Sequence, residues 1–348
     1  MKKVIFIPVF MFLTLMSVFS GGAFQLDLVN TQEISLKQIE IIEIRYSSDN
    51  ISLHRSNTEN IIIKEYMNKD NSDYYAKISN SGNKLEVRAG KRPISIIGNN
   101  LRRRIEVHIP ALDNKSLILM TSSGNIEGKE EYMVSSMTLE CASGNITFNS
   151  VNGDIVARCH SGNIKFDKIN GNASIETTSG DLRANSINGD VIAKCNSGNI
   201  TFGKINGNAS IETTSGYIKA DSIKGDTVAR CNSGEITMNE ISGSLTANVS
   251  SGNIHCGISK NSGDISLSSS SGNVTLDISR NLAFNFSSRT RSGTLRTPFQ
   301  DKLYIALSDK NNVNGVINGD KIADQMELKN INVSTSSGSI KVTWSDKL

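Results

Sequence analysis

The sequence is short of proline and of aromatic side chains. Its 348 residues include 4 Pro and 1 Trp, and aromatic residues make up 5% of the chain. With 28 Gly and so little proline, the composition fits neither collagen nor a proline-rich linker. Hydrophobic residues account for 37%, which is low for the compact core of an enzyme. The length still allows one to three domains.

The chain also lacks an excess of charge of either sign. Lys and Arg total 37 against 34 Asp and Glu, a formal net charge of +3, so no global attraction to nucleic acid is expected. The one basic cluster is Arg102-Arg103-Arg104 with Lys91 and Arg92. It lacks interleaved aromatic residues, and we interpret it as a solvated loop. Contact with an anionic glycan or lipid headgroup is the alternative.

The one long apolar run, residues 4–19, lies at the N-terminus. It follows Lys2 and Lys3 and precedes small residues that end at Ala23. This order is typical of a secretory signal peptide, so we predict cleavage near Ala23 and an exported protein of the periplasm or cell surface. A retained anchor is the alternative, although the run is broken by Pro8 and is shorter than the roughly 20 residues of a span. We expect no transmembrane segment in the mature chain.

The central part of the sequence is a repeat. Glycine recurs every nine residues from Gly144 to Gly252, and serine precedes every second glycine, so the true unit is 18 residues. Residues 168–180 and 204–216 both read KINGNASIETTSG. Apolar residues alternate with polar ones between the glycines, which predicts short strands because a helix needs a period of 3.6. Glycine beside Asn, Asp or Ser is expected to supply positive-φ turns.

Two strands per 18-residue coil predict an all-β fold, a parallel β-solenoid that resembles a β-helix and buries its apolar faces inside the stack. A hexapeptide helix also uses 18 residues per coil, but its sub-period is six, so a flattened two-sided coil fits better. Large and small core residues alternate from coil to coil, as in Phe166, Ala184 and Phe202. The prolines of the mature chain lie outside the repeat, since every solenoid strand pairs on both edges.

This pattern divides the chain into four parts. Residues 1–23 are the signal peptide, 24–115 an N-terminal β-rich cap, 116–278 the solenoid and 279–348 a C-terminal β continuation or cap. The flanks are predicted to cover the open ends of the stack, which otherwise invite aggregation. Irregular strands are expected in the flanks over residues 39–45, 60–65, 84–87, 104–109, 282–286, 303–307 and 331–344.

One outward position of the repeat alternates in charge from coil to coil. It holds Glu140, Arg158, Glu176, Lys194, Glu212 and Arg230. Stacked opposite charges stabilise a parallel sheet, and a slipped register opposes like charges. We interpret the row as a ladder that fixes the register, with a binding stripe as the alternative.

Four cysteines and two threonines share another register position. They are Cys141, Cys159, Thr177, Cys195, Thr213 and Cys231. The alternation directs these side chains inward, and we interpret the thiols as small apolar fillers. Cys141 and Cys159, one coil apart, are marginally placed for a disulfide, whereas the other cysteines are two coils from a partner. The spacing does not fit zinc, because His160 faces away from Cys159.

The nine-residue glycine spacing is shared with calcium-binding β-rolls, but the other residues of the repeat differ from theirs. Calcium-binding β-rolls have an Asp in every nine-residue turn, where this chain often has Asn. We interpret these residues as turn and ladder residues: Asn145, Asn163, Asn199 and Asn253.

Catalysis also has little support in the sequence. A polysaccharide lyase or glycosidase needs paired carboxylates and sugar-stacking aromatics, but Glu176 and Glu212 have basic neighbours and Tyr217 is isolated. The sequence contains no P-loop, nucleophile elbow or HExxH run. We predict no enzyme activity and no catalytic, cofactor-binding or metal-binding residues. The histidines are interpreted as scattered surface or strand residues, at positions 54, 108, 160 and 255.

The iterated Ser-Gly-Asn-Ile and Asn-Gly-Asp units resemble the bacterial putative-adhesin β-strand-repeat family, a domain family of largely unknown function. Residues 105–110, which lead into 117–126, and the last Ser-Gly turn in 334–341 carry the same resemblance. It covers most of residues 40–345. The resemblance implies an envelope or surface protein and transfers no catalytic residues.

Taken together, these features predict an exported cell-envelope scaffold with an adhesin-like role toward an unknown protein or glycan partner. One alternative is a β-helix polysaccharide-active enzyme, which carboxylates about 5–9 Å apart and exposed aromatics would favour. The other is an envelope accessory protein that binds a partner through its N-terminal domain, for which an exposed apolar groove in residues 26–115 is expected.

Overall fold

Strands make up most of the part of the chain that the computed structural model describes, namely residues 26–93, 100–280, 282–299, 303–309, 311–318 and 328–346. Within these residues the helical content is one short 3-10 turn, Ser72–Tyr74, and the predicted all-β class is confirmed. The signal peptide predicted over residues 1–23 lies outside the described residues. The chain separates into two compact units, one ending at Gly162 and the other beginning at Asn163.

The described strands of the first unit are β1 Asp27–Ser35, β2 Ile41–Tyr46, β3 Asn50–Arg55, β4 Asn60–Met67, β5 Lys77–Ser81, β6 Lys84–Arg88, β7 Arg103–Ile109, β8 Leu112–Thr121, β9 Ile126–Ser143 and β10 Ile146–Ser161. Strand β2 pairs in parallel with β6 and β8, and β3 pairs in parallel with β7 and β9. Strand β9 continues in parallel with β8 and β10. These parallel coils confirm the solenoid prediction.

Coils in the first unit do not follow the order of the chain. The coil of β2 and β3 lies between the coil of β6 and β7 and the coil of β8 and β9. Antiparallel strands continue each sheet beyond β6 and β7, because β5 pairs with β6, β4 with β7 and β1 with β4. In the first unit, antiparallel strands are therefore added to parallel coils, which shields the edge of the stack.

The described strands of the second unit are β11 Ile164–Asn170, β12 Ala173–Ser179, β13 Leu182–Ile187, β14 Val191–Ser197, β15 Ile200–Ile205, β16 Ala209–Ile223, β17 Thr227–Ile241, β18 Leu245–Ser251, β19 Ile254–Ile258, β20 Ile265–Ser271, β21 Val274–Ser279, β22 Phe284–Ser292, β23 Leu295–Arg296, β24 Leu303–Asp309, β25 Asn312–Ile317, β26 Lys329–Ser337 and β27 Ile340–Ser345. From β11 to β19 each half-coil pairs in parallel with the half-coil 18 or 20 residues later, with one register shift between β17 and β19.

The last coil of the chain is inserted between two earlier ones. Strand β26 pairs in parallel with both β20 and β22, and β27 pairs with both β21 and β23. Antiparallel β25 then pairs with β22, and β24 with β25. The second unit thus also ends in antiparallel strands.

Core packing in the second unit follows the alternation of sizes in the sequence. Phe166, Ala184 and Phe202 are register partners on successive coils, and all three are buried. A large ring above and below a methyl group lets the layers interdigitate without a void, which close packing of an interior requires.

Glycine in the repeat meets two physical requirements, close approach of the preceding coil at both Gly189 and Gly198 and a positive φ at Gly198. Gly198, after a serine, has a φ of +147°, which residues with a Cβ rarely adopt. A Cβ at Gly189, after an asparagine, would lie 2.3 Å from the carbonyl oxygen of Gly171 one coil earlier. The prediction of a positive-φ turn at both kinds of glycine is therefore wrong for Gly189, where close backbone approach requires glycine.

Candidate functional site

Side chains of the turn residues in the second unit hold neighbouring coils together. The backbone N–H of Asn208 donates to Oδ1 of Asp190 at 2.7 Å, and the N–H of Asp226 donates to Oδ1 of Asn208 at 2.9 Å. The N–H of Ser244 then donates to Oδ1 of Asp226 at 2.8 Å. Each side chain thus satisfies a backbone donor of the next coil, which we call the Asx ladder.

A second Asx ladder follows the Ser-Gly turns. The N–H of Asp181 donates to Oδ1 of Asn163 at 2.8 Å, and the N–H of Asn199 donates to Oδ1 of Asp181 at 3.0 Å. In the first unit the N–H of Asn145 donates to Asn125 in the same way. The interpretation as ladder residues is confirmed for Asn163, Asn199 and Asn253, whose Oδ1 atoms accept from the N–H groups of Asp181, Tyr217 and Asn273.

The predicted charge ladder has the expected register in each unit. In the first unit Arg158 is the Cα partner of Glu140, and their side chains approach to 3.6 Å. In the second unit the register pairs run through Glu176, Lys194, Glu212 and Arg230. The next partner of Arg230 is Asn248, so the alternation of sign ends there.

The inward column of cysteines and threonines has a role that the sequence reasoning missed. At five positions of the column, the side chain donates to the carbonyl oxygen of the Ser-Gly glycine one coil earlier. These bonds are Cys141 to Gly124 at 3.3 Å, Cys159 to Gly144 at 3.2 Å, Cys195 to Gly180 at 3.3 Å, Thr213 to Gly198 at 3.2 Å and Cys231 to Gly216 at 3.4 Å. The thiols are buried as predicted. They are hydrogen-bond donors as well as apolar fillers, which explains why Cys and Thr both occupy this position.

All five cysteines are free thiols. Cys141 and Cys159 are Cα partners, and the neighbouring thiol together with burial raises the pKa of Cys141. Burial raises the pKa of Cys195 and Cys231, and it raises that of Cys256 to about 12. High pKa values keep Cys141, Cys195, Cys231 and Cys256 protonated and poorly nucleophilic at neutral pH.

The interpretation of the basic cluster as a solvated loop is wrong for Arg103 and Arg104, because both lie on a strand. Arg103 begins β7 and is buried, where it donates to Oδ2 of Asp49 at 2.7 Å and to the carbonyl of Tyr74 at 2.6 Å. Arg104, also on β7, lies 4.2 Å from the ring centroid of Tyr66. Asp49 is the partner that allows Arg103 to be buried, but the two residues come together only in the folded chain.

A buried carboxylate, also unforeseen from the sequence, lies near Arg103. Glu65 accepts hydrogen bonds from the backbone N–H of Ala76 at 2.8 Å, from Asn30 at 2.7 Å and from the hydroxyl of Tyr46 at 3.2 Å. Burial raises the pKa of Glu65 despite these donors. The guanidinium of Arg103 lies 5.1 Å from the ring centroid of Tyr46. The network joins β1, β2, β4 and β7 and is built into the packing of the first unit.

Two of the histidines thought to be scattered lie side by side. His54 and His108 are Cα partners on β3 and β7, with ring centroids 4.9 Å apart. His54 lies 3.7 Å from Glu130, and His108 lies 3.6 Å from Glu106. Burial, then the charges of nearby Lys64 and His54, lower the pKa of His108. Within the described residues no group of three or more His, Cys, Asp or Glu is placed to hold a metal ion.

A surface groove of 440 Å³ lies on the second unit along the first Asx ladder. It is lined by Ile192, which is half exposed, and by Ser210, Val228 and Thr246 on the three coils that follow. The hypothesis of an envelope accessory protein predicts a groove within residues 26–115, and this groove lies outside that range. In the part of the chain that the structure describes, no helix is both long and apolar enough to cross a membrane.

Comparison with known proteins identifies one matching family. The family described as Toastrack DUF4097 matches residues 39–230 and 222–343. No curated protein matches the chain.

Several solved structures are similar at low identity. A putative cell adhesion protein from Clostridium sporogenes ATCC 15579 is 8% identical with a TM-score of 0.23, over 91% of this chain and 98% of that one. A putative lipid binding protein from Parabacteroides distasonis ATCC 8503 is 14% identical with a TM-score of 0.32, over 90% and 96%. A putative adhesin from Bacteroides fragilis NCTC 9343 is 12% identical with a TM-score of 0.27, over 90% and 96%.

Proposed function

The chain belongs to the Toastrack DUF4097 family, and from this premise we propose that it is an exported cell-envelope scaffold that binds a partner and is not an enzyme. Export is supported by Lys2 and Lys3, the apolar residues 4–19 and the small residues up to Ala23. The partner is a protein or glycan surface.

The observation that carries the binding role is the way in which the repeat uses its polar side chains. Asp181, Asp190 and Asp226 each place Oδ1 on a backbone N–H of the adjacent coil. A carboxylate held in this way fixes the register and is not oriented toward a reacting group. The repeated polar chemistry therefore serves the stack, and the outward rows of the sheets remain as a regular surface for display.

A single experiment separates this function from a polysaccharide-active enzyme. The secreted chain, processed near Ala23, is incubated with envelope preparations and with soluble polysaccharides, and both retention and polysaccharide chain length are measured. A polysaccharide lyase serves as the positive control for cleavage. We expect retention of the protein on at least one surface with no shortening of the polysaccharide. Shortening contradicts the non-catalytic role, and absence of retention on every surface contradicts the binding role.

A further inference from the structure

One sheet of the second unit carries an uneven charge. Its outward positions on β11, β13, β15 and the second half of β16 hold five exposed cations, which we call the basic face: Lys165, Lys168, Arg183, Lys204 and Lys219. The carboxylate of Asp181 lies 3.2 Å from Arg183, and two further carboxylates among the cations each receive the side-chain amide of an asparagine on the next coil. These pairs are Asp167 with Asn185 and Asp221 with Asn239.

Like charges are direct neighbours on the basic face. Lys165 is the Cα partner of Arg183 on the next coil, so their backbones are about 4.8 Å apart. Like charges opposite one another destabilise a sheet. The other sheet of the same unit avoids this cost, because its central outward row alternates in sign from Glu176 to Arg230. The fold can therefore alternate charges along a row, and the row of Lys165, Arg183 and Lys219 does not do so.

An exposed aromatic ring lies on the same side of the same strand. Tyr217 is 40% exposed and precedes Lys219 by two residues on β16, so the two side chains project to one face. The N–H of Tyr217 donates to Oδ1 of Asn199 at 3.1 Å, which fixes the backbone beneath the ring. Tyr217 occupies an Asx-ladder position but offers a flat apolar surface in place of an amide.

We propose that the basic face and Tyr217 bind an anionic polysaccharide. This inference rests on the proposed function and names the class of its ligand. Cations on neighbouring coils and on alternate coils lie about 5–10 Å apart along the stack, a spacing that suits a polymer with a charge on each sugar or disaccharide. One sugar ring of the polymer stacks on the face of Tyr217, while carboxylate or sulfate groups along the polymer contact Lys165, Arg183 and Lys219.

The chemistry of this face favours a polysaccharide over a lipid surface. Membrane insertion needs apolar side chains that reach beyond the headgroups. The exposed large apolar side chains of the second unit, within the described residues, are Tyr217 and Ile192. Ile192 lies on the opposite sheet, in the row of Ser210 and Val228. The basic face thus pairs cations with one ring, without a set of apolar side chains to insert.

The test uses the full mature chain and two charge-matched double variants. Lys165→Gln with Arg183→Gln removes two cations from the basic face, and Lys194→Gln with Arg230→Gln removes two from the opposite sheet. Binding to polygalacturonate is measured by calorimetry at low salt, with neutral dextran as the control polymer. We expect the first pair to lower affinity about fivefold or more, as two exposed ion pairs allow, and the second pair to change it less than twofold. Equal losses in both variants overturn the proposal, because the binding then follows net charge alone.

A third variant identifies the source of the negative charge. Tyr217→Ala is expected to weaken polygalacturonate binding about threefold or more, as loss of a stacked ring predicts, with little effect on binding to phosphatidylglycerol vesicles. If the chain prefers the vesicles and Tyr217→Ala has no effect on polygalacturonate, the polysaccharide assignment is wrong. If the chain is retained on envelope preparations yet binds no polygalacturonate, this inference fails while the proposed function stands. If it is retained on nothing, both fail.

Discussion

Cys195 and Thr213 are Cα partners on adjacent coils, and each donates to the carbonyl of the glycine below it, Gly180 and Gly198 respectively. A thiol and a hydroxyl therefore form the same hydrogen bond at one position of the coil. Hydroxyl donors form the stronger hydrogen bond, whereas the thiol is a weak donor.

This equivalence predicts the effect of two substitutions of similar size. Cys195→Thr retains a donor to Gly180, and we expect its free energy of unfolding to stay within about 0.5 kcal/mol of the parent. Cys195→Val leaves the carbonyl without this donor and should cost about 1–2 kcal/mol. Urea unfolding followed by circular dichroism measures both. Equal stabilities of the Thr and Val variants would show that the bond contributes nothing.

Burial of the thiols predicts their reactivity. Cys195, Cys231 and Cys256 lie in the core, and burial raises their pKa values. Iodoacetamide should therefore label none of the three in the native protein and all of them in denaturant, as read by mass spectrometry. Rapid labelling of the native chain would mean that these residues face solvent and that the inward and outward assignments must be exchanged.

The charge ladder makes a prediction with an internal control. Lys194→Glu places an acid between Glu176 and Glu212 on successive coils, and like-charge stacking should cost about 1 kcal/mol at low salt. Lys204→Glu changes the net charge equally, but its register neighbours are Ser186 and Ser222. We expect the second substitution to cost less than half as much. If added salt does not reduce the difference, the destabilisation is not electrostatic.

The stacked histidines predict a loss of stability in mild acid. Burial and the charges of Lys64 and His54 lower the pKa of His108 below the value of 6.5 for an unperturbed histidine. The unfolded chain then binds a proton at a higher pH than the folded chain does, so stability falls as pH decreases from about 6.5 toward the lowered pKa. His108→Gln should flatten this part of the pH profile of urea unfolding, whereas a matched substitution at exposed His160 should leave it unchanged. A profile unaffected by His108→Gln contradicts the assignment.

The coil, its core and its ladders could be predicted because they depend on local periodicity. Phe166 and Ala184 are inward by alternation alone, and a shift of one residue would expose both. The order of the coils could not be predicted in this way. Strand β26 fits between β20 and β22 because Ile331 meets Ile265 on one side and Phe286 on the other, and both are apolar. Every coil presents the same pattern to its neighbours, so the sequence does not distinguish insertion from simple succession.

Pairs of side chains that depend on that order were missed for the same reason. Arg103 and Asp49 are 54 residues apart in the sequence, as are His54 and His108. Both pairs form because the coil of β6 and β7 pairs with the coil of β2 and β3. The alternation of β7 places Arg103 on the inward side with Ile105 and Val107. A charged residue is nevertheless assigned to the interior only when its partner is known to be there.

Asp190 offers the most direct test of the claim that the repeated polar residues hold the stack while binding takes place elsewhere. Its Oδ1 accepts the N–H of Asn208 at 2.7 Å, and Asp190→Asn retains that oxygen without the charge, whereas Asp190→Ala removes it. Urea unfolding and polygalacturonate binding are measured on both variants. We predict that Asn keeps the stability of the parent, that Ala loses about 1 kcal/mol, and that both bind as the parent does. A folded, stable Asn variant that has lost binding would contradict the account, because the carboxylate would then act on the ligand and not on the fold.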